Sequence, residues 1–200
     1  MRRASPLFVA LILLVAPAAS SAQPGASPPV FEHVHALAFD AAGRTLWLGA
    51  HTGLYRSEDN GRTWAKTSLL GQDHGPDVMA IAPHPDEAGV LYVGTHEAGV
   101  LKTIDGGKTW KAANRGFGGL DVHGLAIDPN APDKVHAAVR EKGSGIYRTI
   151  TGAEGGWVRV DDGPVGETKA LVSVNISTGM GGIFLYAGTG EGLLRNPDCF

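Results

Sequence analysis

Five histidines recur at matching places along this 200-residue chain: His33, His35, His51, His96 and His123. His33 and His35 form a His-x-His pair, which puts both rings on one side of an extended strand. Imidazole nitrogens suit Zn²⁺ or Cu²⁺, so His35, His51, His96 and His123 are the candidate metal ligands. The same five histidines, with Arg140, could instead hold a small polar ligand or a peptide. The plain structural alternative is that the rings cap strand ends and hydrogen-bond between neighbouring units. Asp77, Glu97 and Asp121 are the candidate catalytic carboxylates. A glycosidase needs two carboxyls about 5–10 Å apart across a cleft, and the spacing singles out no pair. Ser-His-Asp and Cys-His nucleophile arrangements have no local signature. The single cysteine, Cys199, has no partner for an internal disulfide.

The elements that must position these residues come from a repeat. His35, Met79, His123 and Lys169 occupy equivalent places 44 to 46 residues apart. Each unit carries four short alternating runs; the first unit reads HVHALAFD, TLWLGAH, GLYRSED and TWAKTS. Such runs predict four antiparallel strands, and about 45 residues is the size of a propeller blade. No helical period competes. Along each first strand, Leu37 and Phe39, Ile81, and Leu125 and Ile127 form a large-residue face. Ala36, Ala80, Gly124 and Ala126 form a small one, which lets twisted blades pack closely. His33, His35 and His123 open first strands, whereas His51, His96 and Arg140 close second strands. Antiparallel pairing places those ends at the same rim, so these side chains are expected to gather on one face, around the axis.

The outer half of each unit holds a turn signature. Ser57–Trp64 has the form S-x-D-x-G-x-T-W and returns as Thr103–Trp110, T-x-D-x-G-x-T-W, 46 residues later. Gly61 and Gly107 allow positive φ. Asp59 and Asp105 can accept turn amides, helped by the hydroxyls of Ser57, Thr63, Thr103 and Thr109. Trp64 and Trp110 start the return strand with large faces to bury. The third copy, Thr149–Trp157, has Thr151 in place of the Asp and its Trp one residue late, so a longer, looser turn is expected. The fourth breaks off with Asn196 at the Ser place and Asp198 at the Asp place.

This signature resembles the Asp box, or BNR repeat, of a family of β-propellers. The family includes sialidases, xyloglucanase-type glycoside hydrolases, sortilin ectodomains and photosystem II assembly-factor-like propellers; short secreted bacterial glycosylhydrolase-labelled proteins are similar. The resemblance covers roughly residues 31–200. It implies an all-β fold of four-stranded antiparallel blades, about three complete and a partial fourth, forming an open or incomplete propeller. It implies little about activity, because this architecture hosts unrelated functions. The boxes are structural in the resembled families. The Arg cluster, Tyr nucleophile and Arg-Ile-Pro-type motif of sialidases are missing here; Arg195-Asn196-Pro197 is not one.

At the N-terminus, Arg2 and Arg3 precede an apolar run, Leu7–Val15, and Ser20-Ser21-Ala22 offers a cleavage site. Residues 1–22 read as a signal peptide, 23–30 as a Pro/Gly/Ser linker and 31–200 as the propeller segment. The expected location is therefore periplasmic or secreted, with no membrane span in the mature chain. A net charge of −3 with interspersed charges gives no basic stripe, so nucleic acid is not an expected partner. The expected partners are a protein, peptide or carbohydrate ligand. Self-association through exposed apolar blade faces, at 31–40 and 171–194, is also expected. The chain reads as a binding or scaffold module rather than an enzyme. The alternatives are a glycoside-hydrolase-like protein of sialidase or xyloglucanase type, and a periplasmic metal-binding protein using Zn²⁺ or Cu²⁺.

Overall fold

A computed structural model describes residues 31–71, 75–160, 167–176 and 183–198. The expected signal peptide and linker, and Cys199, lie outside the described residues. Among those described there is no helix; fifteen strands follow one another in four antiparallel sheets. Blade 1 holds β1 (Val34–Phe39), β2 (Leu46–Ala50), β3 (Gly53–Ser57) and β4 (Ala65–Thr67). Blade 2 holds β5 (Val78–Pro83), β6 (Leu91–Thr95), β7 (Val100–Thr103) and β8 (Lys111–Ala112). Blade 3 holds β9 (Val122–Ile127), β10 (Val135–Val139), β11 (Gly145–Thr149) and β12 (Val158–Val160). Blade 4 holds three described strands, β13 (Thr168–Val174), β14 (Ile183–Thr189) and β15 (Gly192–Asp198). Strand order follows chain order in every sheet. The arrangement is a β-propeller whose sheets do not close into a ring.

The core lies between blades rather than within them. First strands face one another in sequence, β1 on β5, β5 on β9 and β9 on β13. Trp47 and Leu54 of blade 1 pack with Val78, Val93 and Trp110 of blade 2. Tyr92 and Val100 of blade 2 pack with Val122, Leu125 and Tyr147 of blade 3. Glycine permits this approach on β2 and β6. A Cβ on Gly49 would come within 2.7 Å of Val78 Cγ1, and one on Gly94 within 2.9 Å of Val122 Cγ1. The burial of first strands follows from their neighbours. Every residue of β9 is buried, because blades stand on both sides of it. On β1 the large-residue face is open, with Leu37 59% exposed. Val172, Leu193 and Leu194 of blade 4 are likewise exposed. An unclosed arc leaves these two end faces uncovered.

The outer turns close as their signatures predict. Asp59 accepts hydrogen bonds from the Thr63 amide (2.8 Å), the Thr63 hydroxyl (2.6 Å) and the Ser57 hydroxyl (2.8 Å). Asp105 repeats this with Thr109 N, Thr109 Oγ1 and Thr103 Oγ1, and adds the Lys108 amide. The indole N–H of each Trp donates to its own turn: Trp64 to Gly61 O and Trp110 to Gly107 O. Trp110 is buried, edge-on to Trp47 of the preceding blade. Trp64 is only half-buried. Its cover is Phe31, 5.5 Å away between ring centroids, a smaller lid than a whole neighbouring blade.

The third turn is longer, but it keeps its opening hydrogen bond. Thr149 Oγ1 accepts from Ala153 N, as Ser57 and Thr103 do from Gly61 and Gly107. Ala153 holds φ 72°, in the region its glycine counterparts occupy at 85° and 82°. A Cβ there costs roughly 1–2 kcal/mol. The delayed Trp157 is buried and turns away from its own loop, donating instead to Ala113 O of blade 2 at 2.7 Å. In blade 4 the strand runs on where the other blades turn: Asn196 pairs with Leu185, and Asp198 with Ile183.

Candidate functional site

One irregularity repeats in every blade at the rim where first strands begin. Val34 pairs with Ala50 and Ala36 with Gly49, so His35 is skipped. The same shift skips Met79 between Val78 and Ala80, and His123 between Val122 and Gly124. In blade 4 it skips Lys169, between Thr168 and Ala170. A residue in such a bulge has no cross-strand partner, and its side chain is re-aimed out of the strand's alternation. The repeat positions picked out by sequence are thus the bulged ones.

The residue before each first strand links one blade to the previous one. Its backbone carbonyl stays within its own blade: Asp77 O accepts from His96 N (3.0 Å), and Asp121 O from Arg140 N (2.8 Å). Its side chain reaches back. At the first junction, Asp77 Oδ2 lies 2.7 Å from His51 Nδ1, and Oδ1 lies 3.3 Å from His35 Nε2. At the second, Asp121 Oδ1 lies 2.7 Å from His123 Nε2 and 3.3 Å from His96 Nδ1. At the third, Glu167 pairs with Arg140 Nε. His33 holds the equivalent place in blade 1. It adopts φ 48° and stands 5.8 Å from the His51 ring, between centroids.

The expected histidine ligands therefore fall into two groups, His35–His51–Asp77 and His96–Asp121–His123. Within each, one potential ligand atom per residue lies within 4.8 Å of the others. The two groups differ in charge. Arg140 Nη1 lies 3.1 Å from Nδ1 and 2.9 Å from Nε2 of His123, so a guanidinium crosses that ring. His123 is buried, and burial lowers its pKa. Asp121 opposes this shift, while Arg140 and His96 add to it. The ring is thereby biased toward its neutral form.

Several carboxylate oxygens here are buried without a well-aligned donor. Asp77 Oδ1 and both oxygens of Asp121 receive no hydrogen bond of good geometry. A groove between the two groups is lined by His51, Leu70, Pro76, Asp77, His96 and Glu97. Glu97 is exposed. Of the candidate catalytic carboxylates, Asp77 and Asp121 sit in matching surroundings, each against two imidazoles. Sequence reasoning missed Glu167 and the laying of Arg140 across His123. The signal for Glu167 was present: an acidic residue precedes the first strand in blades 2, 3 and 4. A second cavity, on the outer edge of blades 2 and 3, contains Lys102 and Arg115. Those cations are already tied, Lys102 to Glu154 and Arg115 to Glu154 O.

Among the described residues, no helix is long and apolar enough to cross a membrane. No protein-family model matches the chain. It is 32% identical over 109 residues to vacuolar protein sorting/targeting protein 10 of Mycosarcoma maydis, covering 52% of this chain and 7% of that one. It is 28% identical over 138 residues to an oligoxyloglucan-reducing end-specific xyloglucanase of Emericella nidulans, covering 62% of this chain and 16% of that one. The chain thus spans a small fraction of these relatives' lengths. In three dimensions it is similar to the GH74 enzyme of Niastella koreensis, with TM-score 0.63 and 18% identity over 82% of this chain and 28% of that one. It is also similar to YCF48, solved bound to a D1 peptide, with TM-score 0.61 and 18% identity over 86% of this chain and 52% of that one. These likenesses show the fold, a β-propeller similar to that of GH74 enzymes.

Proposed function

We propose that this chain is an exported Asp-box propeller module that binds an extended peptide bearing a basic side chain along its histidine rim. The observation that carries this reading is the groove between the two histidine groups. It joins carboxylates from Asp77 and Glu97, imidazoles from His51 and His96, and the apolar side chain of Leu70. A cationic side chain would pair with the carboxylates while an apolar neighbour rests on Leu70. Export is supported by the basic, apolar and small-residue order of residues 1–22. The Asp-box assignment is supported by the shared hydrogen bonding of Asp59 and Asp105.

Fluorescence anisotropy with labelled peptides tests the reading. Peptides carrying Lys or Arg should bind, and E97K should weaken them at least tenfold while neutral analogues bind poorly throughout. Binding that is indifferent to E97K and to His96→Ala would refute the groove. The xyloglucanase likeness favours a second reading, a glycan-directed module. Hydrolysis of xyloglucan oligosaccharides that disappears on changing Asp77, Glu97 or Asp121 would establish that reading over the first.

A further inference from the structure

We infer that His35, His51 and Asp77, at the junction of blades 1 and 2, form a binding site for a divalent transition-metal ion, and that the matching group at the next junction does not. The site shares His51 and Asp77 with the groove described above, but it is argued from donor geometry alone. Two imidazoles and one carboxylate are a donor set that zinc accepts, with a further position left for water or a ligand atom. Ligand atoms around a tetrahedral ion with bonds of about 2.0–2.1 Å stand about 3.3 Å apart. His35 Nε2 stands 3.3 Å from one Asp77 oxygen, and His51 Nδ1 stands 2.7 Å from the other. A shift of about 0.6 Å at His51 would open that contact to coordination distance. His51 is free to make it, being 59% exposed.

The site is built rather than casual. His35 projects from the bulge, which frees it from the sheet's alternation. Asp77 is only 12% exposed, and its backbone carbonyl is fixed by the His96 amide. Its Oδ1 is buried without a hydrogen bond of good geometry. A buried acceptor in that condition is costly, and a coordinated cation would relieve it. His33 stands edge-on beside His51, where it can orient that ring.

The second junction has the same three residue types, yet its cation is already supplied by the protein. Arg140 Nη1 contacts both ring nitrogens of His123. A guanidinium in that place sets a fixed positive charge against the ring and repels an incoming cation. No arginine or lysine is paired with Asp77, His35 or His51 among the described residues. Two groups alike in composition therefore differ in what they bind.

Isothermal titration with Zn²⁺, and Co²⁺ absorption spectroscopy, test the inference on the full chain. The native protein should bind one equivalent, with cobalt bands of a low-coordinate site. H51A and H35Q should each weaken binding at least tenfold, and H96A should leave it within twofold. His51 is exposed, so H51A should melt as the native protein does without metal, which separates lost binding from lost fold. Native affinity no tighter than that of H51A would overturn the site. So would loss of binding in H96A, or two equivalents of equal affinity in the native chain.

Discussion

Asp105 on the outer turn of blade 2 and Asp77 at its inner rim both stand at strand ends, but their oxygens have different company. Asp105 takes two amides and two hydroxyls from its own turn, all at 3.0 Å or less. Asp59 does nearly the same. These bonds to the ionised form hold the Asp59 pKa down to about 2, through the Thr63 hydroxyl first, then the Thr63 amide and the Ser57 hydroxyl. Asp105 is lowered by the matching set, led by Thr109. Asp77 and Asp121 are more buried, yet they face imidazoles at a blade junction and keep oxygens without an aligned donor. A carboxylate saturated by its own loop fixes a fold. A buried one left under-bonded beside histidines retains capacity for a ligand. The same residue type thus has two roles in one blade, separated by what the local backbone offers it.

Four changes should break or sharpen that contrast. The largest effect is expected at the outer turn. Trp110→Ala should lower stability by about 3–5 kcal/mol, the usual cost of emptying a buried aromatic site. Trp64→Ala, at a half-buried position, should lower it by clearly less. Thermal melts of the two variants check the ranking, and equal losses would deny that the neighbouring blade matters. Next, D105A should lower the melting temperature more than Asp77→Asn does, because it removes four hydrogen bonds that hold the turn closed.

Acid supplies the third test. Asp59 and Asp105 have folded pKa values below the ordinary 3.8, so their contribution is whole above that value. It is lost as pH falls through 3.8 toward 2. Denaturant unfolding between pH 5 and pH 2 should show this limb in the native chain and a shallower one in D59A/D105A. The smallest effect belongs to His123. Burial lowers its pKa from 6.5, so the unfolded chain binds the proton more readily and stability declines as pH falls through 6.5. His123→Gln should flatten that step and leave the acid limb below pH 4 unchanged.

Much of this architecture was legible in the chain. The spacing of His35, Met79 and His123 marked first strands, and Ser57–Trp64 with Thr103–Trp110 marked hairpins that close as their residue types require. Strand direction placed His35, His51, His96 and His123 at the rim. The division of those four into two groups was not legible, because it depends on Asp77 and Asp121 reaching back to the preceding blade. Alternation predicts strands but not a register shift, so the bulge at each rim position left no mark in composition. Arg140 lying across His123 is a contact between the end of one strand and the start of another, which spacing does not encode. Phe31 packs edge-on against Tyr55 and Trp64, a contact between aromatic rings that the repeat spacing does not encode. Ala153 keeps a glycine conformation because the turn around it is held by Thr149 and by the neighbouring blade.

The most direct test sets one rim carboxylate against one turn carboxylate. Asp77→Asn and Asp105→Asn each remove one negative charge at almost constant shape. Each variant is melted without metal and then titrated with Zn²⁺. The account predicts a double dissociation. Asp77→Asn should melt near the native temperature and lose at least tenfold in Zn²⁺ affinity, whereas Asp105→Asn should melt lower and bind as the native protein does. Equal melting temperatures with equal affinities, or the reverse assignment of the two losses, would contradict it.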